Sequence, residues 1–182
     1  MEDVFRKYAI ALFDSVPSYI YWGLLSLFCI GTLVLCCSLR VKRGLLWSMF
    51  LLLVKFLFLI LSSTVFFRPH SSWEHNLTPF WSYTAFLDGE KELLVDNLFN
   101  VAVFIPIGIL LSVIMKKAKW WQVMLIGLTL SVTIEALQFF FKRGFTEFDD
   151  VMHNTFGCLI GVGVFTLISS IWKVAKKKRV HL

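Results

Sequence analysis

Charge is what this chain lacks. Only 16% of its 182 residues are charged while 58% are hydrophobic, against about 25% and roughly half in a soluble domain, and the mean hydropathy is +0.75. A water-soluble fold is excluded on these grounds. Cysteine carries no chemistry either: Cys29, Cys36 and Cys37 fall in one apolar run and Cys158 in another, with no C-x-x-C pair, so neither a disulfide framework nor a zinc site is expected. There is no Ser-centred nucleophile motif and no two-histidine metal signature. No internal repeat is evident, and the opening Met-Glu-Asp lacks the basic start of a signal peptide.

The most telling absence is of acids. The segments holding Arg40, Lys42 and Arg43, then Lys116, Lys117 and Lys119, then Lys173, Lys176, Lys177, Lys178 and Arg179 contain no Asp or Glu. Every acid but Glu135 lies instead in the N-terminus, in Arg68–Asp96 or in Lys142–His153. The net charge of +6 is therefore a topology signal rather than a nucleic-acid footprint, because the basic residues sit in short clusters between hydrophobic runs.

Those runs are about Tyr19–Leu39, Gly44–Phe67, Asn97–Met115, Trp120–Phe141 and Asn154–Trp172, each long enough to cross a bilayer core of about 30 Å. The fold class expected is an all-α integral membrane bundle of about five transmembrane helices, with the N-terminus outside and the C-terminus cytoplasmic by the positive-inside rule. Residues 1–17 read as an amphipathic segment, 18–67 as the first two spans, 68–96 as an extracytoplasmic loop, 97–172 as a three-span core and 173–182 as a basic cytoplasmic tail. Trp73, Trp81 and Tyr83 suit the outer interface, and Trp120, Trp121 and Trp172 the inner one.

Polar side chains inside such runs are costly and need a reason. Asn97 with Asn100, Glu135 with Gln138, and Asp150 with Asn154 are each spaced to share a helix face, all near the outer ends of their spans. One such pair could merely hydrogen-bond two helices together. Three at one depth, with Arg143, Asp149 and His153 beside them, predict a hydrated cavity open to the exterior. Lys55 lies deeper, roughly 18 Å from its span's outer end, and either pairs with Glu135 or snorkels to water.

Thr146 and Asp149 have capping-box spacing, which predicts a last helix starting near Thr146. That helix start beside Arg143 could receive a phosphate or carboxylate. Asp149, Asp150 and His153 are the candidate ligands should a divalent cation bind there; no other cofactor is expected. Pro106, two residues before Gly108, interrupts the third span. Gly157 and Gly161 form a G-x-x-x-G that lets another helix approach, more in keeping with internal packing than with dimerisation.

Taken in order, Asn76-Leu77-Thr78-Pro79-Phe80, Asn97-Leu98-Phe99-Asn100, Phe104-Ile105-Pro106-Ile107-Gly108, Glu135-Ala136-Leu137-Gln138, Arg143-Gly144-Phe145, Asp149-Asp150 and Asn154-Thr155-Phe156-Gly157 with Gly161 resemble the VanZ-like membrane proteins. That family is named for a teicoplanin-resistance protein, and the resemblance runs over residues 76–163. It implies a multi-pass protein of a bacterial cytoplasmic membrane linked to reduced glycopeptide sensitivity. His153 stands where the family pattern leads one to expect an apolar or small residue.

Three functions are compatible with these residues. The leading one is a non-catalytic envelope protein that binds an anionic amphiphile at the outer leaflet, a lipid-linked cell-wall precursor or a lipoglycopeptide antibiotic, among membrane lipids as its partners. Arg143 would contact the anionic head, Asn97, Asn100, Gln138 and Asn154 would orient it, and Glu135, Asp149 and Asp150 complete the site, with Phe139 and Phe140 along the tail. The alternative is an intramembrane enzyme acting on a lipid-linked phosphate or glycan, with Glu135, Asp150 or His153 as the catalytic group. A proton-coupled transporter using Lys55, Glu135 and Pro106 ranks third.

Overall fold

The computed structural model of the protein describes residues 17–38, 41–70, 73–116 and 118–180. The proposed amphipathic segment 1–17 lies almost wholly outside them. Helix α1 spans Ser18–Ser38 and follows Pro17, whose carbonyl accepts from Ile20 N–H at 2.9 Å. Helix α2 spans Val41–Leu61 and widens into a π-turn over Ser62–Phe66. Ser63 and Thr64 hydroxyls both donate to the Ile60 carbonyl there. Hydroxyls returned to the preceding turn bend helices, and Pro69 just beyond has no N–H with which to continue the helix.

Strand β1 (His75–Asn76) and the short helix α3 (Trp81–Leu87) follow, then α4 (Glu92–Ile114) and α5 (Trp120–Phe141). Strand β2 (Thr146–Glu147) pairs in parallel with β1, His75 opposite Thr146 and Asn76 opposite Glu147. Helix α6 then runs unbroken from Phe148 to Val180.

Among the described residues four helices are long and apolar enough to cross a membrane: Arg43–Phe66, Glu92–Ile114, Trp120–Phe141 and Phe148–Lys177. The chain is thus a multi-pass, all-α membrane bundle. These are four of the five expected spans, and helix α1 occupies the place of the first. The third span begins at Glu92 rather than Asn97, because helix α4 reaches into the preceding loop.

Helices α4 and α6 form the tightest pair, and their glycines explain it. A Cβ on Gly157 would overlap the Val101 carbonyl, one on Gly161 the Ile105 carbonyl, and one on Gly108 the Cys158 carbonyl. The two backbones touch, which is how helices associate where lipid offers no hydrophobic drive. Gly127 of α5 receives the Cys158 side chain. Around this seam Leu53, Ile60, Phe104, Ile107, Leu110, Leu111, Val123 and Ile134 make the apolar core.

Candidate functional site

The polar residues gather at the end of the bundle where α4 and α6 begin and α5 ends, and the loop between α2 and α4 is folded over them. Asp149, in the first turn of α6, points away from its own helix into that loop. One carboxylate oxygen accepts from Phe80 N–H at 2.6 Å and the other from Ser82 N–H at 3.0 Å and Ser82 Oγ at 2.6 Å. Asp149 thus caps α3, whose own preceding residue, Phe80, sits in the left-handed region at φ 63° and supplies no side-chain cap. Asn97 of α4 donates to Ser82 Oγ at 3.0 Å. His153, one turn below Asp149, meets the Tyr83 hydroxyl through Nε2 at 2.7 Å. Trp81 packs edge-on against Phe145 at 5.7 Å. The loop is fastened on both sides.

This corrects the expected capping box. Helix α6 starts at Phe148, two residues past Thr146, because Thr146 and Glu147 are taken up by pairing with β1. The Thr146 hydroxyl faces the Glu135 carbonyl at 3.5 Å instead of its own helix, and Asp149 caps another helix altogether.

Beneath the loop the three polar pairs meet partners from neighbouring helices. Asn100 donates to Asp150 at 2.6 Å, joining α4 to α6. Asn154 donates to Ser131 Oγ at 2.8 Å, joining α6 to α5. Glu135 accepts from Glu147 N–H at 3.1 Å, joining α5 to β2. The Gln138 amide, oriented so that both its ends find complementary groups, donates to Glu135 at 3.1 Å and accepts from Arg68 at 3.0 Å.

The side chains from which a cavity was expected are themselves largely buried. Asn97, Glu135, Gln138, Asp149, His153 and Asn154 are each no more than 6% exposed. Hydrogen-bonding one another is what makes burial of such groups tolerable. The more open members are Asn100, Asp150, Glu147 and Arg68.

Arg68 is the residue that sequence reasoning missed. It lies within electrostatic reach of Glu135 and Asp150 as well as bonding to Gln138, so it is a cation of this cluster. Arg143 donates its guanidinium to the Arg68 carbonyl, while its N–H closes the end of α5 on Gln138 O at 2.8 Å. Gly144, at φ 98°, is where a Cβ would strike the Arg68 guanidinium. A signal was present in the sequence: Arg68 is the only Lys or Arg between Lys55 and Lys91, set where an apolar run ends. Ser82, Tyr83, Ser131 and Glu147 were missed as well, since a hydroxyl or loop acid gives no spacing to read.

Glu147 supplies the pH dependence. Burial, then the neighbouring carboxylates of Asp150, Asp149 and Asp96, push it from its ordinary 4.5 up to about 8. A carboxyl held neutral in the folded protein stabilises it fully below about pH 4.5, and that share is lost as pH rises through 8. Thermal unfolding in detergent is expected to show falling stability between pH 5 and 8.5, and Glu147→Gln to flatten the curve. An unchanged curve in that variant would place the titration elsewhere. Among the described residues no group of three His, Cys, Asp or Glu is arranged to hold a metal ion.

The comparisons with known proteins agree with this architecture. The family model VanZ/LLP1 matches residues 45–169, starting in α2 and so reaching further back than the motifs from Asn76. Protein VanZ of Enterococcus faecium is 35% identical over 105 residues, 58% of this chain and 60% of that relative's length. No solved structure matches. By the family match, which covers more than half of its length and runs from α2 into α6, the chain belongs to the VanZ/LLP1 family.

Proposed function

We propose that this VanZ/LLP1 protein works in the cytoplasmic membrane with its acidic end outward, engages an anionic amphiphile at the outer leaflet and thereby lowers sensitivity to teicoplanin-type glycopeptides. The supporting observation is the cationic rim around Arg68. Arg68, Lys142 and Arg143 lie together where the α2 and α5 ends meet, with Arg143 bonded to the Arg68 backbone and Lys142 stacked 3.9 Å over the Trp73 ring. Exposed Phe66, Phe67, Phe139, Phe140 and Phe141 flank them. Cations above an aromatic, lipid-facing strip match a ligand with an anionic head and a hydrocarbon tail. The buried amides then position helices and loop, and the rim makes the contact. The outward orientation follows from the acid-free segments at the opposite end, and the resistance role from the family.

Arg68→Ala tests it in a stably inserted protein, with a polyprenyl phosphate as probe and teicoplanin susceptibility as the cellular readout. Losing a charge-assisted hydrogen bond worth about 1.5–3 kcal/mol should weaken binding roughly 10- to 100-fold and restore sensitivity. Unchanged binding and susceptibility would refute the reading. A second reading, an intramembrane enzyme acting on the same class of lipid, draws on Glu135, Glu147 and Asp150 lying within electrostatic reach of one another. Turnover of the polyprenyl phosphate that vanished in Glu135→Gln would favour it.

A further inference from the structure

The opposite end of the bundle carries a feature that the proposed function leaves unused. Where α4 ends and α5 begins, Ile114, Met115, Lys116, Ala118 and Gln122 line a hollow of about 520 Å³. Its floor is apolar, since Ile114, Met115 and Ala118 pack against the core. Its rim carries Lys116 and Gln122, and exposed Lys119 lies just beyond it, its N–H donating to the Gln122 side-chain oxygen at 2.8 Å. Helix α5 starts at the same place, the N–H groups of Gln122 and Val123 bonded to the Lys119 carbonyl, so the positive end of that helix adds to the field.

Among the described residues no carboxylate competes. The sequence holds no Asp or Glu between Asp96 and Glu135, and thirteen helical residues place Glu135 roughly 20 Å up the helix from Gln122. The acids of α6 are confined to its first turn, while α2 has none. Trp120 and Trp121, both exposed, stand beside the hollow as interfacial residues do. An anionic group with apolar substance attached is the ligand that such a place suits. In a membrane that is a lipid.

We propose that this hollow holds the phosphodiester headgroup of an anionic phospholipid, with Lys116, Lys119 and the start of α5 on the phosphate and the acyl chains running beside the exposed face of α5. Basic hollows between transmembrane helices recognise anionic headgroups in this way. The site is distinct from the Arg68 rim and stands or falls without it.

The full-length protein, delipidated in a neutral detergent, is titrated with phosphatidylglycerol, phosphatidylcholine or inorganic phosphate, and bound lipid is read by native mass spectrometry alongside thermal unfolding. Phosphatidylglycerol is expected to bind and to raise the unfolding temperature, with phosphatidylcholine and inorganic phosphate doing neither. Lys116→Gln with Lys119→Gln should weaken phosphatidylglycerol binding roughly thirtyfold, as removal of two surface cations implies, while leaving the lipid-free unfolding temperature unchanged. Arginine at both positions should keep the binding. The basic residues from Lys173 to Arg179 stay in every variant, so a loss must come from the hollow. Equal retention of the two lipids, full binding in the double glutamine variant, loss in the double arginine variant, or stabilisation by inorganic phosphate alone would overturn the proposal.

Discussion

Replacing Asp149 with alanine is expected to release the loop over the polar core and to destabilise the protein by about 3–5 kcal/mol, as leaving three buried hydrogen-bond donors unpaired implies. The side chain is wholly buried, and its two oxygens accept three hydrogen bonds, all from the loop. Alanine would leave two backbone N–H groups and a hydroxyl without acceptors under apolar cover, each at a cost of roughly 1–3 kcal/mol. It would also take from Phe80, in its left-handed conformation, the bond that anchors its N–H. The loss should therefore be local first. Limited proteolysis is expected to cut between Trp73 and Leu87 in Asp149→Ala well below its unfolding temperature, and to spare that segment in the parent. His153→Phe provides a milder comparison, since it removes one bond to Tyr83 and keeps a ring in contact with it. If Asp149→Ala resisted protease as the parent does, the loop would be held by something other than this carboxylate.

What could be read in advance divides along physical lines. Three of the membrane spans lie within a few residues of where hydropathy puts them, because the bilayer imposes one length and one rule, that every backbone group be satisfied within the helix. The polar pairs could be placed on helix faces because helical periodicity fixes which residues are neighbours. Their partners could not. Asp149 reaches back 67 residues to Ser82 and Asn154 reaches 23 to Ser131, and no period links such positions. Strands of two residues are too short for alternation to show, so Thr146 looked like a helix start when it belongs to a sheet. Arg68 was passed over because an arginine at a membrane boundary is ordinary; only the fold brings it against Gln138 and beneath Gly144.

The glycine seam makes the second large effect, and it separates two kinds of glycine on one helix. Gly157→Leu is expected to prevent accumulation of folded protein, and Gly157→Ala to cost about 1–3 kcal/mol, the usual cost of overpacking. The added atom would meet the Val101 backbone carbonyl, which cannot swing aside as a side chain would. Gly163 on the same helix has nothing within 4 Å of its would-be Cβ, so Gly163→Ala should be neutral or slightly stabilising, as alanine is the better helix former. The consequence reaches the polar core. Asp150 lies seven residues before Gly157 on α6, and its 2.6 Å bond to Asn100 of α4 exists only while the two helices stay in close contact. Separating them by even 1 Å would stretch that bond beyond normal geometry. Gly157→Ala should therefore loosen the Arg68 rim and weaken polyprenyl phosphate binding even where the protein still folds, whereas Gly163→Ala should leave it intact. Equal unfolding temperatures and equal binding in the two alanine variants would mean that α4 and α6 do not meet backbone to backbone.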